Sequence, residues 1–173
     1  EYEVIEGEVV EADANPALAM SIDPITRAEI DIQVATAKRW PRDLQQVSRD
    51  MLAMATLDEE TAASCFYSLP QRGGKTAGSS KIEGPSIRMA EIALNAWGNL
   101  RAGNRSLGET EDVRMVRELG FFHDVQKNII IAKEVQRRIT TKEGKRYGDD
   151  MVGVTRAAAG SIALRNATLT GIP

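Results

Sequence analysis

The side chains best placed for chemistry in this sequence are cations. Between residues 133 and 146 stand Lys133, Arg137, Arg138, Lys142, Lys145 and Arg146, opposed only by Glu134 and Glu143. An apolar run, Ile129 to Ile131, leads into them, Glu143-Gly144 makes a turn, and a helical pattern follows. A strand that turns basic toward its end and then feeds a helix suits the edge of a polyanion groove. A solvated hairpin tip is the plainer alternative.

A second cationic group, Arg72, Lys75 and Lys81, lies in the stretch from Pro70 to Ser86, which is rich in Gly, Ser and Lys and is expected to be a loop or a loose hairpin. Within it, Gly73-Gly74-Lys75-Thr76 invites comparison with a nucleotide phosphate loop. That motif needs a glycine where Leu69 stands and a helix after Thr76, where more Gly and Ser follow. ATP hydrolysis is therefore set aside, and these cations are expected to meet phosphate through plain charge.

Nucleophilic and metal chemistry find little support. The chain has one cysteine, Cys65, and one histidine, His123, so it can build neither a disulfide framework nor a Cys/His zinc site. Glu109, Glu111 and Asp112, like Asp149 and Asp150, sit where turns and helix caps are expected rather than in a cluster for metal-assisted hydrolysis. We expect a protein that is not an enzyme and takes no cofactor or metal.

The overall charge of −3 conceals a division. Residues 1–60 carry 14 acidic and 5 basic side chains, net −9, and residues 61–173 carry 11 acidic and 17 basic, net +6. That asymmetry hints at polyanion binding by the second part. With 173 residues, 42% apolar, the chain can form a core without staples. It has no long apolar run and an acidic start, so a cytoplasmic location is expected. A beginning without methionine and an end directly after a helical pattern suggest the core of a longer chain.

These groups need elements to position them. Residues 1–20 are expected to form an acidic arm and residues 21–173 a single α+β domain. Asp23-Pro24 suits a helix start, and Ile25, Ala28, Ile32 and Ala35 then recur at helical spacing. A second helix carries Leu44, Val47, Met51 and Met54 on one face with Arg42 away from it, and both helices are expected to pack on the domain. A short helix opened by Asp58 precedes a strand over 65–69. The stripe Ile87, Ala90, Leu94 and Trp97 marks another helix, stopped by Gly98.

From Leu100 the period changes to alternation. Residues 100–109 form a polar strand with a bulge at Gly103-Asn104. A stronger strand runs from Val113 to Val125, with odd-numbered Val113, Met115, Leu119, Phe121 and Val125 expected to face the core. The third strand, Ile129 to Thr140, has cations on both faces and is expected to leave the core. The final helix, from Asp149, should turn Val154, Ala158, Ser161 and Leu164 or Leu169 inward, with Ala157, Ala158, Ala159, Gly160 and Ala163 permitting close approach. Arg156 and Arg165 are half a turn out of phase at ~100° per residue, so they cannot line one groove together.

Three segments, Leu69-Pro-Gln-Arg-Gly-Gly-Lys75, Ile82 to Glu91 with Trp97-Gly-Asn99, and Ser161 to Pro173, resemble in their order the bacteriophage single-strand annealing proteins and, more distantly, the Rad fifty-two superfamily. The resemblance covers residues 41–173. It implies a three-stranded antiparallel β-meander packed on a long C-terminal helix, with N-terminal helices and a second small hairpin. It further implies rings or filaments that bind single-stranded DNA and anneal complementary strands without ATP, in the bacterial host beside a phage exonuclease and a single-strand binding protein.

The final helix is mostly Ala where the superfamily is rich in cations, leaving Arg156 and Arg165. Aromatics are also scarce, with Phe66, Tyr67 and Tyr147 alone near the basic segments, so base-stacking platforms are not evident. Binding would be led by the phosphate backbone and depend steeply on salt. The alternative from another class is an oligomeric adaptor whose basic hairpin contacts an acidic segment, such as residues 1–13.

Overall fold

The structure, a computed structural model, describes residues 24–70 and 81–173; the acidic arm, Asp23, Arg72 and Lys75 lie outside them. Helices α1 (Pro24–Arg39), α2 (Leu44–Ala55) and α3 (Glu59–Ser64) precede a two-stranded antiparallel hairpin, β1 (Phe66–Pro70) and β2 (Lys81–Pro85). Helix α4 (Ile87–Trp97) leads into a meander of β3 (Leu100–Glu109), β4 (Met115–Asp124) and β5 (Ile129–Arg138), and α5 (Asp149–Gly171) closes the chain. The fold is α+β, with the meander packed on the C-terminal helix.

Local chemistry accounts for most boundaries. Asp43 caps α2 by accepting from the Gln45 N–H at 2.8 Å, and Asp58 caps α3 by accepting from the Thr61 N–H at 2.7 Å. Ser86 caps α4, accepting from the Met89 N–H while its own hydroxyl donates to the Ser64 carbonyl at 2.6 Å. Gly98, at φ 60°, ends that helix.

The meander turns its even face inward, which reverses the expected parity. Val116, Glu118, Gly120, Phe122 and Asp124 are buried, whereas Met115, Arg117, Leu119, Phe121 and His123 are half-exposed on the other side. Val113 is not in the strand at all: it occupies the preceding turn at φ 53°. Both parities carry large apolar residues, so hydrophobicity alone does not choose between them. Gly120 does. A Cβ at that position would lie 2.1 Å from the carbonyl carbon and oxygen of Ala163, so α5 reaches the sheet only because position 120 has no side chain.

The helix answers with its own small residues. Ala159, Gly160, Ala163 and Ala167 are buried together with Val152 and Thr168. Val154, Ala158 and Ser161 instead face outward and Leu164 and Leu169 are half-buried, so the inward set differs from the expected one. Small against small lets the surfaces meet at backbone distance, and the larger side chains are displaced to the flanks. Two apolar groups result: Val47, Ala93, Trp97, Phe122, Ala167 and Ile172 at one end, and Val116, Ile139, Val152 and Ala159 at the other.

Three further expectations change. The bulge in β3 lies between Ser106 and Gly108 rather than at Gly103-Asn104. The third strand, β5, stays within the sheet although none of its residues is buried. It pairs with β4 from Ile129 to Arg138, and Ile139 is buried, its N–H donating to the Arg114 carbonyl at 2.8 Å. The α1 stripe does not pack on the domain, for Ile25 and Ile32 are 69% and 66% exposed, and Leu44 of α2 is exposed too. Among the described residues, no helix is long and apolar enough to cross a membrane.

Candidate nucleic-acid interface

Strand β5 is an edge of the sheet, because the strand order is β3-β4-β5. Lys133 and Arg137 lie opposite Gly120 and Val116, on the parity that meets α5, and Arg138 lies opposite Met115 on the other face. All three are exposed. Beyond the strand, a tight turn is closed by the Thr141 N–H donating to the Lys145 carbonyl at 2.7 Å and by a bridge between Thr140 and Arg146. That turn holds Lys142 and Lys145 in solvent.

The carboxylates of this segment are occupied elsewhere. Glu134 accepts from Arg117 Nε and Nη2 at 2.8 and 3.1 Å, and its carboxyl is lowered to about 2, first by those hydrogen bonds and then by Gln136. The Glu143 carboxyl is lowered by the Thr141 hydroxyl. Lys133, Arg137, Arg138, Lys142 and Lys145 therefore have no ion-pair partner among the described residues.

Arg146 and Arg156 belong to another set. Arg146 donates through both Nη atoms to Glu109 at 2.6 and 2.9 Å, and Arg156 reaches Glu109 at 3.5 Å and the buried Glu118 at 3.8 Å. The Glu109 carboxyl is held below its usual range chiefly by the hydrogen bonds from Arg146. These two arginines tie β3, the turn and α5 together, and their charge is met within the chain. Position alone does not reveal that in the sequence, since Glu109 and Arg146 are joined only by the fold.

Arg165 lies elsewhere on α5. Its Cζ stands 5.0 Å from the centre of the Tyr67 ring, at the mouth of a groove of ≈ 370 Å³ lined by Leu69, Ile82, Ile87 and Ile162. Lys81, at the start of β2, is exposed on the same hairpin. Lys133 pairs with Gly120, whose backbone meets Ala163, two residues from Arg165, so the hairpin groove and the β5 cations both border α5.

A buried hub supports this arrangement and escaped the sequence reading, which turned Arg42 outward. The side chains of Arg42 and Asp124 are 3% and 4% exposed and meet at 2.9 Å. Asp124 also accepts from Trp97 Nε1 and from the Gln126 and Lys127 N–H groups. Arg42 further donates to the Trp97 and Gly98 carbonyls and lies 4.3 Å above the Trp97 ring. Burial pushes the Asp124 carboxyl up, but the hydrogen bonds from Arg42, Trp97 and Lys127 together hold it below its usual range. The β4–β5 turn, and with it the register of the β5 cations, is fixed by these contacts.

Among the described residues, no group of three or more His, Cys, Asp and Glu side chains is placed to hold a metal ion. Comparison with protein-family models, with curated proteins and with solved structures returned no match.

Proposed function

We propose that this chain binds single-stranded DNA through its phosphate backbone and anneals complementary strands without ATP, as an oligomer. One observation carries the proposal. Lys133, Arg137, Arg138, Lys142 and Lys145 follow one another along a sheet edge and its turn, while Arg117, Arg146 and Arg156 are neutralised by carboxylates. Phosphate contacts of this kind leave base edges free to pair with a second strand. Lys81 on the hairpin and Arg165 on α5 would extend the track, and Arg72 and Lys75, outside the described residues, belong to the same reading.

The exposed stripe of α1 supports assembly. Ile25 and Ile32 would be buried by a neighbouring subunit, and a chain of subunits turns a short footprint into a continuous one. Work beside a phage exonuclease and a single-strand binding protein belongs to the same reading. The test is the pairing of two complementary oligonucleotides, one carrying a fluorophore and the other a quencher, mixed with the protein without nucleotide. Faster pairing than in buffer supports annealing; no acceleration at low salt, or a requirement for ATP, defeats it.

A further inference from the structure

The outward turn of the odd residues of β4 creates a surface that the β5 cations do not explain. Residues directly opposite one another across antiparallel strands share a face. Arg101, Gly103 and Arg105 of β3 therefore join His123, Phe121 and Leu119 of β4, with Ile130 and Ala132 of β5 beyond them. Phe121 is central. Its ring folds over Gly103, where a Cβ would stand 3.1 Å from Cζ, so the absent side chain lets the ring lie low on the sheet. Two hollows, of ≈ 490 and ≈ 310 Å³, share Phe121 and Arg101, and the smaller is also lined by Arg105 and His123. His123 Nε2 is buried there with no hydrogen-bond partner among the described residues.

The charge of this face selects its occupant. Arg101, Arg105, Arg117 and Arg138 project onto it, and its one carboxylate on the sheet, Glu134, is taken by Arg117. At the rim, Glu91 of α4 is engaged by Arg88 at 3.5 Å. A second copy docked symmetrically through this face would bring arginines against arginines. Arg101 and Arg105 are four residues apart on a strand, about 13 Å, with the aromatic ring between them. Cations spaced along a strand on either side of a half-exposed ring match a polyanion whose bases offer π faces.

We infer that the open face of the meander is a base-stacking site for single-stranded nucleic acid, with Phe121 as the platform, Arg101 and Arg105 as phosphate contacts and His123 as a polar contact to the stacked base. The inference rests on the annealing reading for its ligand and adds a second site on the opposite side of the sheet from α5.

The test uses the full chain and a fluorescein-labelled oligothymidylate, with Phe121→Leu to keep the apolar bulk and Phe121→Trp to keep the stack. Phe121→Leu should weaken binding by at least about fivefold, the loss of a single base stack, with an unchanged salt dependence because no charge is removed. Phe121→Trp should bind as the parent does. In parallel, an oligonucleotide containing 5-bromodeoxyuridine, irradiated with the unaltered protein, should leave adducts on Phe121 or His123, a result that stands even where a variant fails to fold.

Equal binding by a folded Phe121→Leu protein, or adducts confined to residues 133–146, overturns the inference and leaves the annealing reading intact. A change in subunit number by light scattering at unchanged affinity per site overturns it in favour of a subunit contact. Failure of the unaltered protein to bind any single strand removes both.

Discussion

If the five cations of β5 and its turn each neutralise one phosphate, salt dependence should count them. For single strands each contact contributes about 0.7 to the slope of log affinity against log salt, so these five contribute about −3.5 per subunit, to which Lys81, Arg165, Arg101 and Arg105 would add. Raising salt from about 50 to about 200 mM should then weaken binding at least about 130-fold. Replacing Arg137 and Lys145 together by Gln removes two contacts, makes the slope shallower by about 1.4 and lessens the same loss about sevenfold. Arg146→Gln is the internal control: its charge is already met by Glu109, so the slope should stay that of the parent. Fluorescence anisotropy of a labelled oligothymidylate across a salt series reads all three proteins. An unchanged slope in the double variant, or an equal drop in Arg146→Gln, would refute the assignment of cations to phosphate.

The fold makes further claims of its own. Asp124→Asn strands Arg42 in a buried site and should cost about 3–5 kcal/mol, lowering the thermal midpoint by roughly 6–20 °C in a scanning calorimeter. Because the Asp124 carboxyl titrates lower folded than unfolded, its contribution is present above the unfolded value and is lost as pH falls through the folded one, so the variant should show a shallower acid limb in denaturant titrations. Gly120→Ala sets a methyl against the Ala163 backbone, which cannot move aside as a flexible side chain would, and should cost about 3 kcal/mol by urea unfolding. Glu134 should titrate near 2 by carboxyl NMR and return toward 4.5 in Arg117→Gln, since hydrogen bonds from Arg117 are the first cause of its shift.

The element list was largely legible, and so was the cation cluster. Asp58 and Gly98 mark helix ends through a capping side chain or backbone freedom, signals that need no tertiary information, whereas the caps at Asp43 and Ser86 were not read. The stripe of α4 holds at Ala90 and Trp97, which are buried, with Ile87 and Leu94 half-buried, while Ile92 is buried outside it. The α1 stripe has the same regularity and no cover among the described residues. Spacing reports that a face is apolar, not that something is packed against it.

The candidate site divides along the same line. Residue type identified six cations between 133 and 146 but could not say that Arg146 answers Glu109, 37 residues earlier, and so is withdrawn from the free set. Arg42 and Asp124, 82 residues apart, were invisible as a pair for the same reason. The platform at Phe121 was hidden by the parity of β4, where apolar residues occupy both faces.

By itself, then, the sequence determined the order and kind of most helices and strands and that the second part of the chain is basic, because caps, turns and charge are properties of neighbouring residues. Only the tertiary structure decided which face of β4 meets α5, which of the described cations remain unpaired and which aromatic lies on the open face of the sheet. Those outcomes turn on close approach between distant segments, above all on Gly120 beneath Ala163, where a missing side chain sets how the helix lies and hence everything the sheet presents on its other side.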